Sequence, residues 1–167
     1  MKKLVIAMIV AVGLCFSFSG MAFATEIAVI NAAQIFENSE PFKAGEEHLK
    51  RVQDILQKGM NDLQEIYKGK ENTPEAQQDI AQAYNALNQQ MAIERQAVQN
   101  VLNELLIESV KEWRTKNTKF DVVLNSQIIL DYNDKIDVSK AIEKIFNTKK
   151  PKFADLPQIT INQPTGN

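Results

Sequence analysis

His48 is the one histidine of the chain, set in Glu46-Glu47-His48. A metal centre needs several ligands converging at helical spacing. One turn away from His48 stand Ala44, Gly45, Arg51 and Val52, none of them a ligand, and Glu47 is adjacent and shares no face with it. The expectation is an exposed histidine without chemical work to do. The single cysteine, Cys15, lies in an apolar leader, so a nucleophile paired with a base is hard to build from the residues downstream of it. No Gly-rich phosphate loop is present. Glu108 and Glu112 sit one helical turn apart beside Lys111 and Lys116, the pattern of a solvated face. The sequence therefore predicts no enzyme, no cofactor and no metal. What remains is adhesive chemistry, in Leu56, Met60, Leu63, Ile66, Tyr67, Tyr84, Leu87 and Met91. Met and Tyr offer contact area without demanding one shape. Met60, Tyr67, Tyr84 and Met91 are the candidates for gripping an irregular partner, whereas Leu and Ile at seam positions suit helix–helix packing.

These residues need long helices to carry them. Asn38-Ser39-Glu40-Pro41 has the signature of a helix start, with a capping Ser and with acid and Pro in the first turn. Beyond it, Phe42, Leu49, Leu56 and Leu63 recur every seven residues, and Gly45, Val52, Gly59 and Ile66 come three residues behind. That is an a/d seam. Glu46–Lys50, Glu47–Arg51 and Asp54–Lys58 place acid before base at i,i+4 on the other face. Gly45 and Gly59 weaken this helix by up to about 1 kcal/mol each relative to Ala and predict an arm that bends.

Lys68-Gly69-Lys70-Glu71-Asn72 breaks the pattern, and Thr73-Pro74-Glu75 opens a second helix. Its seam runs Ile80, Tyr84, Leu87, Met91, Glu94, Val98, Val101 and Leu105, with no Pro or Gly from Glu75 to Phe120. The expected lengths are about 40 and 60 Å, joined as an antiparallel helical hairpin. The apolar face widens through Leu102, Leu105, Leu106, Ile107, Val110 and Trp113, so that end should enter a packed body.

The body is expected from strands at the two ends of the hairpin. Glu26 to Asn31 is one β-branched run; Phe120 to Leu124 and Gln127 to Asp131 flank Asn125-Ser126 as a hairpin turn. Asp137 should cap a last helix carrying Val138, Ala141, Ile142, Ile145 and Phe146. The fold expected is α+β and mainly α: a small three-stranded β body with a long antiparallel coiled-coil hairpin inserted. The body takes residues 25–40 and 118–147, the arm 41–117, and 148–167 is a flexible tail with three prolines. So small a body cannot bury much surface, and an arm this long cannot hide its stripe within one chain. Oligomerisation through Ile27, Val29, Val122, Leu124, Ile128 and Leu130, as a dimer or trimer, is the expected remedy.

The leader sets the compartment. Lys2-Lys3 precedes Leu4 to Phe23, a run without a charge that ends in Ala22-Phe23-Ala24. Residues 1–24 fit a secretory signal peptide cut after Ala24, which implies export. An uncleaved anchor is the alternative, since about 20 apolar residues can span a bilayer. Leu14 stands before Cys15 where lipidation wants a small residue. Of 167 residues, 44% are hydrophobic and 24% charged, a globular composition. Loss of Lys2 and Lys3 takes 19 basic residues to 17 against 21 acidic ones, a net of −4. An acidic exported chain has no basic face for nucleic acid.

In order and length, this layout resembles the periplasmic chaperone family known as Skp or OmpH-like. The likeness is carried by Ile27-Ala28-Val29-Ile30-Asn31, the helical insertion, Phe120-Asp121-Val122-Val123-Leu124-Asn125-Ser126 through Asp131-Tyr132-Asn133, and Asp137-Val138-Ser139-Lys140-Ala141-Ile142. It implies a jellyfish-like homotrimer whose arms surround a cavity. There, unfolded outer-membrane β-barrel proteins would be held soluble without ATP and delivered to the outer membrane, with contact at the membrane surface. Basic arms in that family contrast with this chain, where Arg95 is the one basic residue between Glu71 and Val110. A competing expectation is an adaptor coiled coil that docks to an envelope partner through its hairpin tips. Between Ala76 and Ile93 the tip half carries Asp79 as its one charge.

Overall fold

The computed structural model describes residues 25–37 and 39–161. The leader with Cys15 and its cleavage point, Asn38 of the helix start, and residues 162–167 of the tail lie outside the described residues. The elements run β1 (Glu26–Ile30), α1 (Ala32–Glu37), α2 (Glu40–Ile66), α3 (Pro74–Lys116), β2 (Phe120–Asn125) and α4 (Ser139–Phe146). The chain is α+β and mainly helical.

Both long helices start where the sequence signals a start. The Ser39 hydroxyl accepts a hydrogen bond from the Phe42 amide at 3.3 Å, and Thr73 does the same for the Ala76 amide at 3.3 Å. Each satisfies a donor that the helix itself cannot. Pro41 and Pro74 stand at the helix openings, where a missing N–H costs nothing. Gly69 turns the chain between them at φ +80°. With 27 and 43 residues the helices extend about 40 and 65 Å. They run antiparallel: Gly45 abuts Val98 and Leu102 at the body end, and Tyr67 meets Asp79 at the tip. The surplus length of α3 enters the body. There Leu102, Leu106 and Trp113 pack with Ala28, Ile30, Ile35, Phe120, Ile142 and Phe146. Leu105 and Val110 flank this core, while Ile107, expected on the same face, points to solvent.

The β body differs from expectation. Among the described residues it has two strands, not three, and β1 and β2 pair in parallel with Ile27 opposite Val122 and Val29 opposite Leu124. Parallel neighbours need a long crossover, and here the whole helical hairpin is that crossover. No hairpin forms at Asn125-Ser126. The Asn125 side chain accepts from the Gln127 amide at 3.3 Å and winds Ser126–Ile128 into a 3₁₀ turn. Gln127 to Asp131 thus finds no strand partner among the described residues. Beside β1, Val29 instead bridges to Asp137, its carbonyl accepting from the Val138 amide at 2.9 Å.

Asp137 begins the last helix one place earlier than a standard cap. Val138 occupies the cap position without a side-chain bond, and the Asp137 carboxylate accepts from the Ser139 amide at 2.8 Å. The buried Ser139 hydroxyl accepts from the Asn31 amide at 2.8 Å, tying the end of β1 to the start of α4.

The tail, expected to be flexible, lies against the hairpin over residues 149–161. It has no regular secondary structure there. Lys149 Nζ sits 3.0 Å from Glu112 Oε2, the Phe153 ring lies 5.0 Å from the His48 ring, and Ile159 rests on Gly59. Among the described residues, no helix is long and apolar enough to cross a membrane.

Candidate functional site

The hairpin presents two different sides. On one, Gln53, Gln57, Met60 and Gln64 of α2 fall at helical spacing along one face, opposite Gln77, Ala81, Tyr84, Asn88, Met91 and Arg95 of α3. Between these faces runs an open groove. Its middle is a hollow of about 310 Å³ lined by Leu56, Met60, Tyr84, Leu87 and Met91, with Arg95 at one end. Towards the tip a hollow of about 630 Å³ shares Gln57, Met60 and Tyr84 and adds Ile80 and Glu71. Met60, Tyr84 and Met91, three of the four candidates for gripping a partner, therefore meet in one place. Tyr84 is 61% exposed, and Met60, Leu87 and Met91 are half-buried. Fully burying a side chain such as Met is worth about 1.5–3 kcal/mol, so half-covered ones retain driving force for a partner. Gln and Asn amides along the rim can donate to and accept from any backbone laid across them.

Tyr67 is elsewhere. It closes α2, is buried, and donates its hydroxyl to the Asp79 carboxylate. That bond, with burial and the neighbouring acidic charge, pushes the phenol up to about 12. Tyr67 clamps the tip and is not placed to grip a partner, which corrects the expectation.

His48 is also corrected. It is buried, facing buried Glu94 of α3 with Nε2 3.7 Å from Oε2. Glu94 Oε1 accepts from the Gln90 amide at 2.8 Å, while His48 Nε2 has no hydrogen-bond partner. The signal was available: Gly45, His48 and Val52 share a face at spacings of three and four, and Glu94 falls in the α3 seam, where a carboxylate needs company. Among the described residues, no three His, Cys, Asp or Glu side chains group closely enough to hold a metal. Glu112 is held below the ordinary carboxylate range by hydrogen bonds from Lys116 and Lys149. It fastens the tail to α3.

The residues expected to join subunits divide. Ile27 and Val122 form a cross-strand pair that stays open to solvent, and Leu124 is half-buried. Ile128 and Leu130 stand out at 76% and 107% exposure. Val29 is 1% exposed, buried inside its own chain, so it is not available to a partner. Alternation along β1 fails because Ala28, Val29 and Ile30 are all covered.

No family model matches this chain, and no curated protein sequence matches it.

Proposed function

We propose that this chain is an exported, ATP-independent holdase that keeps unfolded outer-membrane β-barrel proteins soluble in the periplasm. The observation that carries it is the open groove of Met60, Tyr84 and Met91 on a long helical arm, where the α3 stretch from Ala76 to Ile93 carries Asp79 as its one charge. A holdase needs many weak, exchangeable contacts rather than one tight pocket, and repetition makes such contacts collectively strong. The resemblance to the Skp or OmpH-like chaperones supports the same reading. So does the apolar group Ile27, Val122, Ile128 and Leu130 left uncovered on the body, which suits assembly as a homotrimer with the arms around a shared cavity. The test is light scattering after rapid dilution of a urea-unfolded barrel protein into the chain from Thr25 onward. The expected result is suppressed aggregation, lost when Met60, Tyr84 and Met91 are replaced together by Gln.

A second reading is an adaptor that docks through its tips. It is favoured by the Tyr67–Asp79 clamp, which makes the tip a defined surface rather than a frayed end. An adaptor would bind one partner and lose it when residues 71–73 are altered, while unrelated barrels would precipitate beside it.

A further inference from the structure

On the other side of the seam the hairpin already holds a polypeptide, its own residues 151–161. The fit is tight at Gly59 and an ordinary contact at Gly45. A Cβ on Gly59 would stand 2.6 Å from Ile159 Cδ1, and one on Gly45 would stand 3.5 Å from the Phe153 ring. With Ile159 Cγ2 a further 3.0 Å contact, any side chain at position 59 would force Ile159 to shift from its present seat. Along Ile159-Thr160-Ile161 the two isoleucines are half-buried and the threonine between them is exposed, an alternation of period two. Hollows of about 440 and 470 Å³ remain beside Ile159 and Ile161, so the tail occupies the groove without filling it.

From these contacts we infer that the Gly45–Gly59 side of the hairpin is a binding groove for extended, alternating apolar polypeptide, and that the tail is its resident occupant, displaced when a partner segment arrives. The occupant defines the partner chemistry: an aromatic side chain and, six residues on, β-branched side chains at alternate positions of an extended segment. Strands of membrane barrels alternate in this way. The identity of the partner as an unfolded barrel rests on the proposed holdase function; the existence of the groove does not. A tethered occupant competes at high effective concentration, so the intact chain holds the groove closed against weak ligands.

The experiment uses the full chain from Thr25 onward and a fluorescein-labelled peptide with the sequence of residues 151–161. Ile159→Asp in the chain is expected to free the groove and tighten peptide binding by about tenfold or more over the unaltered chain. Gly59→Val added to that variant fills the notch and is expected to abolish binding. Circular dichroism checks that each variant keeps its helices, and Phe153→Asp serves as a second way to release the tail. Equal peptide affinity in the unaltered and released chains, or binding that survives Gly59→Val, overturns the groove. Unfolded barrel protein is expected to displace the peptide; a barrel that is kept soluble without displacing it overturns the assignment of partner. A barrel that precipitates in every case while the peptide still binds removes the holdase function and leaves the groove intact.

Discussion

His48 Nε2 and Glu94 Oε2 lie 3.7 Å apart across the seam of the hairpin, both side chains buried at a level where Gly45, Val98 and Leu102 bring the two helices together. A buried polar pair of this kind costs desolvation and returns it only while both partners are present. Phe153 of the tail covers the imidazole, so this junction joins α2, α3 and the tail at one level.

Glu94→Leu alone is expected to lower stability by about 1–3 kcal/mol, because it removes the acceptor of the Gln90 side-chain amide and the carboxylate that faces the buried imidazole. The double variant His48→Leu with Glu94→Leu should recover most of that loss, since an apolar replacement of both partners removes the desolvation cost. Thermal unfolding of the two singles and the double measures the coupling; additive losses would contradict it.

Replacing Met60, Tyr84 and Met91 with Gln should abolish suppression of barrel aggregation while changing stability by less than about 1 kcal/mol per site, because all three are half-buried or exposed. Gln keeps the helix propensity of Met, so the arm stays helical. Scattering and thermal unfolding on the same preparations separate the two effects.

Much of this arrangement is legible in the residues themselves. Ser39 with Pro41 and Thr73 with Pro74 mark both long helices, because capping depends on neighbours two or three residues away. The stripe through Leu102, Leu106 and Trp113 foretells a covered end for α3. The failures share a cause: a partner distant in sequence. Gln127 to Asp131 is as β-branched and apolar as a strand, yet a strand needs an edge to pair with, and β1 is taken by β2 and by the bridge of Val29 to Asp137. His48 looks idle when only its own helix is considered, and Glu94 is 46 positions away. Gly45 and Gly59 look like weak points for bending. In the fold α2 runs unbroken through both, and their bare surfaces admit Val98, Phe153 and Ile159. Three prolines hide the packing of the tail, since an extended segment without a ladder shows no period.

The tip should be tolerant of alkali. The Tyr67 phenol is raised above its ordinary value of about 10, to about 12, so the bond to Asp79 contributes fully below the ordinary value and is lost as pH climbs through the raised one. A spectrophotometric titration of the three tyrosines should show a late step near pH 12, and Tyr67→Phe should remove that step. An unchanged titration would contradict the clamp.

The start of α4 should be sensitive to acid. Burial pushes the Asp137 carboxyl up, but hydrogen bonds from the Ser139 hydroxyl and amide and from Tyr132 outweigh it and hold the group below the usual carboxylate range. Its contribution is therefore present above the ordinary value of about 3.9 and is lost as pH falls through the lowered one. Asp137→Ala removes an acceptor of the Ser139 amide and of the Tyr132 hydroxyl and should cost about 0.5–2 kcal/mol at pH 7, and progressively less towards pH 2. Unfolding curves across that range test the sign.

Holdase function is tested most directly by the light-scattering mass of the chain from Thr25 onward, taken alone and after a urea-unfolded barrel protein is diluted into it. The predicted result is a trimer alone and a soluble complex of defined mass with the barrel. A monomer, or an oligomer beside which the barrel precipitates, would contradict it.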